Sequence, residues 1–246
     1  MIIYDGVDLG ELMFIRDVER PVMPGQTLEV ISIEGRHGAL FMYKKHEPVT
    51  LPVQVVVSED SIHLLHERRR EIAAALHKNE PKRLIFTDEP DKYIMAILTG
   101  ESPLPTLATH GEATLNFFCP EPFWYAVEDD IFEFEGAGTY DFYRKGTIES
   151  EPIIEITGTI SEQISITLND KTMEYTGELA YGETLVIDSN WMTAYVQDAE
   201  GKRRSAINYL STLDFLQTKP GLNNFKFKVE GNGINTVKIT CRSRWL

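Results

Sequence analysis

Cysteine is scarce in this chain, with Cys119 and Cys241 its only two. Two thiols cannot make a disulfide framework. Both sit in apolar, strand-like segments, Asn116-Phe117-Phe118-Cys119 and Ile239-Thr240-Cys241, where buried free thiols are expected. Long apolar runs are also missing, so no segment has the ~20 residues of a membrane helix, and membrane insertion is not expected. The opening Met1-Ile2-Ile3-Tyr4-Asp5-Gly6 lacks the basic and apolar regions of a signal peptide, which predicts synthesis in a reducing cytosol. Basic charge is short as well. Lys and Arg number 24 against 38 Asp and Glu, for a net charge of −14. Specific nucleic-acid binding needs clustered Lys and Arg, so it is not expected. Only residues 236–246 reverse the balance, with Lys238, Arg242, Arg244 and no acid. Such an end suits docking on acidic surface of this chain or a neighbour's, or a solvated strand end.

Catalytic signatures are equally thin. No Gly-x-Ser-x-Gly elbow occurs, and neither cysteine has a local motif. Gly136-Ala137-Gly138 and Gly231-Asn232-Gly233 are turn sequences without the Lys and Ser/Thr that hold phosphate and magnesium. His63 and His66 have the i, i+3 spacing of a ligand pair, but no His-Glu-x-x-His motif accompanies them. They read as surface histidines, and no metal or cofactor is expected. Carboxylate pairs will lie close by chance on so acidic a surface, and a glycosidase cleft cannot be read from that. Glu121-Pro122-Phe123-Trp124-Tyr125 could stack a sugar but more often packs a domain junction; Trp191 and Tyr195 are weaker sugar-platform candidates. The residues favour a structural or binding protein over an enzyme.

What the chain has is strand. Leu28 to Glu34, Val49 to Val57, Lys92 to Leu98, Glu112 to Cys119, Ile153 to Thr157, Gln163 to Leu168, Thr184 to Ile187, Phe225 to Val229 and Val237 to Cys241 are short β-type runs. Gly, Pro, Asn and Asp clusters separate them. Pro52 inside Val49 to Val57 predicts an edge, a strand start or a bulge. One helix is predicted from Ser58 to Lys78. Ile62, Leu65, Ile72, Ala73 and Leu76 line one face, which Leu64, Ala74 and Ala75 widen. Ser58 is the expected N-cap, and Asn79 and Pro81 end the helix. A lone amphipathic helix among strands predicts a lid on one sheet face. The charge cluster Glu128-Asp129-Asp130 and the flexible Gly136-Ala137-Gly138 suggest a domain boundary near residues 127–150. After it, closely spaced strands without a helix predict a β-sandwich.

Several segments together resemble the distal tail proteins of siphoviruses and their prophages. Tyr4-Asp5-Gly6 follows a short first strand. Ile33-Glu34-Gly35-Arg36-His37-Gly38-Ala39-Leu40 is similar to the family's Gly-Arg-Asp/His-Gly hairpin. Leu84 to Tyr93 resembles its Asp-x-Tyr segment, and Phe117 to Phe123 the close of its N-terminal domain. Gly146 and Pro152 before Ile154, then Pro220-Gly221-Leu222-Asn223, are similar to landmarks of its second domain. The basic end Cys241 to Leu246 completes the likeness, which spans nearly the whole chain.

The resemblance implies a mainly β protein. An N-terminal ring-forming β domain with one helix would occupy residues 1–130, and a C-terminal galectin-like β-sandwich residues 140–235. Residues 131–139 would be a linker. The final strand, 236–246, would return to complete the first domain and bring Cys241 near Cys119. The family forms a hexameric hub ring, single or double, between the last tail-tube ring and the tail-associated tip protein. In some phages it also holds receptor-binding proteins. The protein would then reside in the virion's tail tip after synthesis in the bacterial cytoplasm. Its 246 residues leave no room for the inserted sugar-binding modules of enlarged members. Edge strands can join ring neighbours, which points to the hairpin from Glu29 to Tyr43, with Glu29, Ile31, Ile33, Arg36, Phe41 and Tyr43 as interface residues. An acidic lumen would let DNA pass without sticking. Two rivals remain. One is a carbohydrate-binding module contacting host glycans through Trp124, Trp191 or Tyr195, and the other is a cell-wall hydrolase.

Overall fold

The strand Val49–Ser58 sets the pattern of the first half. Leu51, Val53, Val55 and Val57 alternate inward and are buried, while their neighbours point outward. Period-2 burial of β-branched residues is what a half-buried strand requires. The computed structural model describes residues 1–101, 103–104, 106–107, 109–159, 163–229 and 236–246. The turn expected at Gly231-Asn232-Gly233 lies outside the described residues. The chain divides into two units, Met1–Val127 with Leu246, and Glu128–Trp245.

In the first unit all described strand pairs are antiparallel. The order is Val7–Asp8, Ile2–Tyr4, Lys82–Phe86, Lys92–Thr99, His110–Cys119, Val49–Ser58 and Phe14–Val18. Val49–Ser58 is therefore an interior strand, so of the edge, strand start or bulge that Pro52 suggested, the edge is excluded. Pro52 is tolerated because its missing N–H faces Glu19, just past the end of Phe14–Val18. There the Glu19 N–H donates to the Pro52 carbonyl at 3.1 Å, and residues of an antiparallel pair bond on one side together. The bulge between Ile15 and Asp17 lies on the same pairing.

The helix runs Ile62–Leu76, shorter than predicted. Ser61, not Ser58, is the N-cap and accepts from the Leu64 N–H at 3.3 Å. Ser58 instead ends the preceding strand, and its hydroxyl meets the His110 ring at 3.1 Å. Leu65 and Leu76 are buried, and Ile72 packs against the same core as Val53, Leu84 and Phe117. The helix thus lids the sheet. Leu64 and Ala74, expected to widen its buried face, are exposed.

The second unit is a β-sandwich. One sheet has the order Asp130–Glu135, Thr236–Cys241, Ile153–Thr157, Thr184–Asp188, Thr193–Gln197 and Arg203–Ser205. The other has Gly138–Arg144, Gly221–Val229, Ile164–Leu168 and Lys171–Tyr175. Their inner faces meet in a core that includes Ile154, Ile166, Leu185, Phe225, Phe227 and Ile239.

This arrangement corrects two expectations. Residues 131–139 are not a linker. They hold most of the strand Asp130–Glu135 and the start of Gly138–Arg144, which belong to opposite sheets. Gly136, at φ 73°, turns the chain between them. Phe134 stacks on Tyr140 at 4.6 Å and on Phe225 at 5.5 Å, so burial of those rings orders the crossing. Nor does the strand at 236–241 complete the first unit. It lies between Asp130–Glu135 and Ile153–Thr157, where Val237, Ile239 and Cys241 enter the sandwich core. Cys119 is buried in the first unit's core and Cys241 in the second's, so the two thiols do not share a core. Burial pushes both thiols up to about 12.

Candidate assembly surface

One element of the first unit buries almost nothing. The strands Gln26–Ile31 and Leu40–His46 pair only with each other among the described residues and form a two-stranded arm. Every residue from Gln26 to Lys45 is exposed. The turn holds Gly35 at φ 76° and Gly38 at φ 83°, conformations that glycine enters without strain. The base is tied down more firmly. The Glu47 N–H donates to the Gly25 carbonyl at 2.7 Å, the Thr27 hydroxyl donates to Glu47 Oε1 at 2.5 Å, and the His46 ring packs edge-on to Phe123.

The arm's chemistry is unusual for solvent. Leu28 and Val30 alternate onto one face, and Glu29 and Ile31 onto the other. The register pairs Val30 with Phe41 and Ile31 with Leu40, with a bulge between Glu29 and Val30. Both faces are therefore apolar. Leu28 is 57% exposed, Val30 49%, Phe41 61% and Tyr43 48%. A lone two-stranded hairpin is at best marginal in water, and a contiguous apolar patch marks a contact surface.

Glu29, Ile31, Ile33, Arg36, Phe41 and Tyr43 all lie on this arm and are all exposed. Leu28, Val30, Leu40 and Met42 lie on the same arm and are exposed too, so apolar residues occur on both faces, which a strand with one wet face does not need.

The three sugar-platform residues are divided between the two units. Trp124 packs against the first unit's core, 5.6 Å from the Phe86 ring. Trp191 and Tyr195 belong to the second unit. Trp191 is 77% exposed in the turn after Thr184–Asp188, where the Asp188 carboxylate accepts its backbone N–H at 3.0 Å. The Arg203 guanidinium lies over the Tyr195 ring at 4.4 Å, leaving that face covered. His63 lies 3.4 Å from Glu67, and no metal-ligand cluster occurs among the described residues. No described helix is long and apolar enough to cross a membrane.

Charges on the helix divide into paired and unpaired groups. Arg68 is held by Glu59 at 2.7 Å and Glu71 at 2.8 Å, and the Glu59 bond raises its pKa. Arg69 and Arg70 make no ion pair with described residues. Bases of the chain end pair with acids of the second unit, Lys238 with Glu155 at 2.7 Å, Arg242 with Asp129 at 3.7 Å and Arg244 with Glu151 at 2.9 Å.

Two family models match, one on each unit. Residues 7–119 match the phage tail protein RIFT-related domain, and residues 145–245 the C-terminal domain of a siphovirus-type tail component. The chain belongs to the siphovirus distal tail family. It is accordingly a structural component of the phage tail and of the virion. The fold is similar to the crystal structure of SPP1 Dit (gp 19.1), described as a paradigm of the hub adsorption apparatus of phages infecting Gram-positive bacteria. That match has a TM-score of 0.79 at 17% identity and covers 100% of this chain and 98% of the other. A chain of the phage P2 baseplate, in its activated conformation with calcium, aligns with a TM-score of 0.47 at 9% identity over 96% of each chain. No curated protein sequence matches significantly. As a distal tail protein the chain has the mainly β, two-part fold expected of that family.

Proposed function

We propose that this distal tail protein assembles into a hexameric hub ring at the tail tip, between the last ring of the tail tube and the tail-associated tip protein, and that it offers a docking platform for receptor-binding proteins. The observation that carries this reading is the arm, a hairpin apolar on both faces and covered by nothing in the described protomer. Contact of one patch with a different patch on the next copy is heterologous, and it closes into a ring when the rotation permits. The description of SPP1 Dit as part of a hub apparatus supports the same reading. The role is structural, with no catalytic step, and the acidic surface keeps passing DNA from adhering.

Light scattering after size exclusion, across a concentration series, tests the ring. The expected species has six times the 28.0 kDa protomer mass and a central hole in negative stain. A protein that stays at protomer mass at every concentration, alone and mixed with its tail-tube and tip proteins, would refute it. Turnover of peptidoglycan by the pure protein would refute the non-catalytic role.

A further inference from the structure

Three strands of the first unit leave one backbone edge open among the described residues and are long enough to pair again. Phe14–Val18 ends the sheet and pairs only with Val49–Ser58, while Gln26–Ile31 and Leu40–His46 of the arm pair only with each other. Each holds out apolar side chains, with Phe14 69% exposed, Val30 49% and Phe41 61%. Open edges of this kind are completed by another strand. The bulge between Ile15 and Asp17 keeps the sheet edge from joining strands at random.

Charge sorts the three. On Leu40–His46 the charged residues are Lys44 and Lys45, both exposed and in no ion pair with described residues; Lys45 lies over the Tyr43 ring at 5.8 Å. Along Phe14–Val18 and just past it stand Arg16, Asp17, Glu19 and Arg20. Arg16 is engaged by Glu112 at 3.5 Å, and Arg20 by Asp88 and Glu89. Asp17 and Glu19 are exposed and make no ion pair with described residues. One edge therefore offers two free bases and the other two free acids. Elsewhere on the arm, Glu34 and Arg36 offset each other at the turn, Glu29 stands on the opposite strand, and Glu47 at the base accepts from the Thr27 hydroxyl.

We propose that the Leu40–His46 edge of one copy pairs with the Phe14–Val18 edge of the next. The inference rests on the ring reading and names the two edges that join its neighbours. The pairing brings the two free bases alongside the two free acids, and the apolar arm strand against a strand that exposes Phe14. Pairing like edges would instead set bases against bases or acids against acids, which is destabilising. The two edges belong to different strands, so the contact runs head to tail and propagates around a ring instead of stopping at a symmetric dimer. Arm-to-arm pairing through the Gln26–Ile31 edge, with its Glu29, is the competing arrangement. Six arms joined in that way close a barrel of twelve strands, only about 24 Å across between backbones. Side chains would narrow it below the width of the duplex DNA that passes through the ring.

Cross-linking tests the pairing on the full chain. Asp17→Cys protein is mixed with Lys44→Cys protein and treated with a short bis-maleimide; buried Cys119 and Cys241 do not compete. The expected product is a mixed dimer, and neither variant should link to itself. Charge reversal tests the selectivity. Lys44→Glu with Lys45→Glu, and separately Asp17→Lys with Glu19→Lys, should each melt like wild type, because all four residues are exposed. In low salt each should assemble only at about tenfold higher concentration or more. An equimolar mixture of the two should recover wild-type assembly, because alternating copies restore opposite charges at every contact. If Lys44→Cys links to itself or to Glu29→Cys protein and not to Asp17→Cys protein, the contact is arm to arm and the proposal is wrong. If wild type assembles but the mixed dimer is absent and both reversals assemble normally, these edges do not meet and the ring stands. If wild type stays at protomer mass, alone and with its tail partners, and no arm position links to any copy, the ring reading fails and the proposal with it.

Discussion

Phe41→Ser separates the stability of the protomer from the stability of the assembly. Fully burying a phenylalanine side chain is worth roughly 1.5–3 kcal/mol. Phe41 is 61% exposed, so about two fifths of that is already spent within the protomer. The substitution should therefore lower protomer stability by about 1 kcal/mol or less. The remaining three fifths, about 1–2 kcal/mol, is available to a neighbour. Losing it at each contact weakens each contact by about tenfold, and the loss recurs at every interface of a ring. Leu51→Ala is the control. Leu51 is 1% exposed in the core, and its truncation should cost ~2–5 kcal/mol of protomer stability. Urea unfolding followed by circular dichroism reads the protomer, and light scattering across a concentration series reads the assembly. The reasoning fails if Phe41→Ser unfolds as early as Leu51→Ala, or if it assembles at the wild-type concentration.

Three other outcomes follow from the fold. Cys119 and Cys241 are buried with pKa values pushed up to about 12, so at pH 8 an aromatic disulfide reagent should react with both only after denaturant is added. Fast labelling of the native protein would contradict their burial. The Arg204 guanidinium, 2.7 Å from Glu183, lowers that carboxyl's pKa, helped by the Ala180 N–H. A lowered folded-state pKa adds stability that is present above the unfolded value and lost as pH falls through the folded one. Arg204→Met should therefore flatten the stability–pH curve on the acid side, and an unchanged curve would count against the pair. Gly146 lies at φ 100°, where a Cβ would sit 2.5 Å from the Arg244 carbonyl oxygen. Gly146→Ala should destabilise by roughly 1–3 kcal/mol in urea unfolding, and wild-type stability would show that this turn relaxes freely.

Local pattern by itself marked the helix and nine of the strands of this protein. Ile153–Thr157 and Val49–Ser58 were legible as strands because β-branched residues alternate over a run too short for a helix. Ile62–Leu76 was legible as a helix because Leu65, Ile72 and Leu76 recur on one face. The arm was legible as a hairpin from its glycines, and the interface residues proposed on it came from the family likeness. Partner choice is another matter, because a strand's residues state which faces are apolar and not which distant strand will cover them. Thr236–Cys241 carries the same alternation wherever it docks, and only long-range packing set Val237, Ile239 and Cys241 into the sandwich core. Gly136-Ala137-Gly138 reads as a flexible link. It became a tight crossing between sheets because partly buried Phe134 stacks on Tyr140 and on buried Phe225 around it. Exposure of the arm was decided in the same way. Leu28, Val30 and Phe41 have core-type side chains, and they reach solvent because no other strand of the described protomer pairs with theirs. The amino-acid order specifies which surfaces must be buried, and tertiary structure decides which of them the protomer buries itself and which it leaves for another chain.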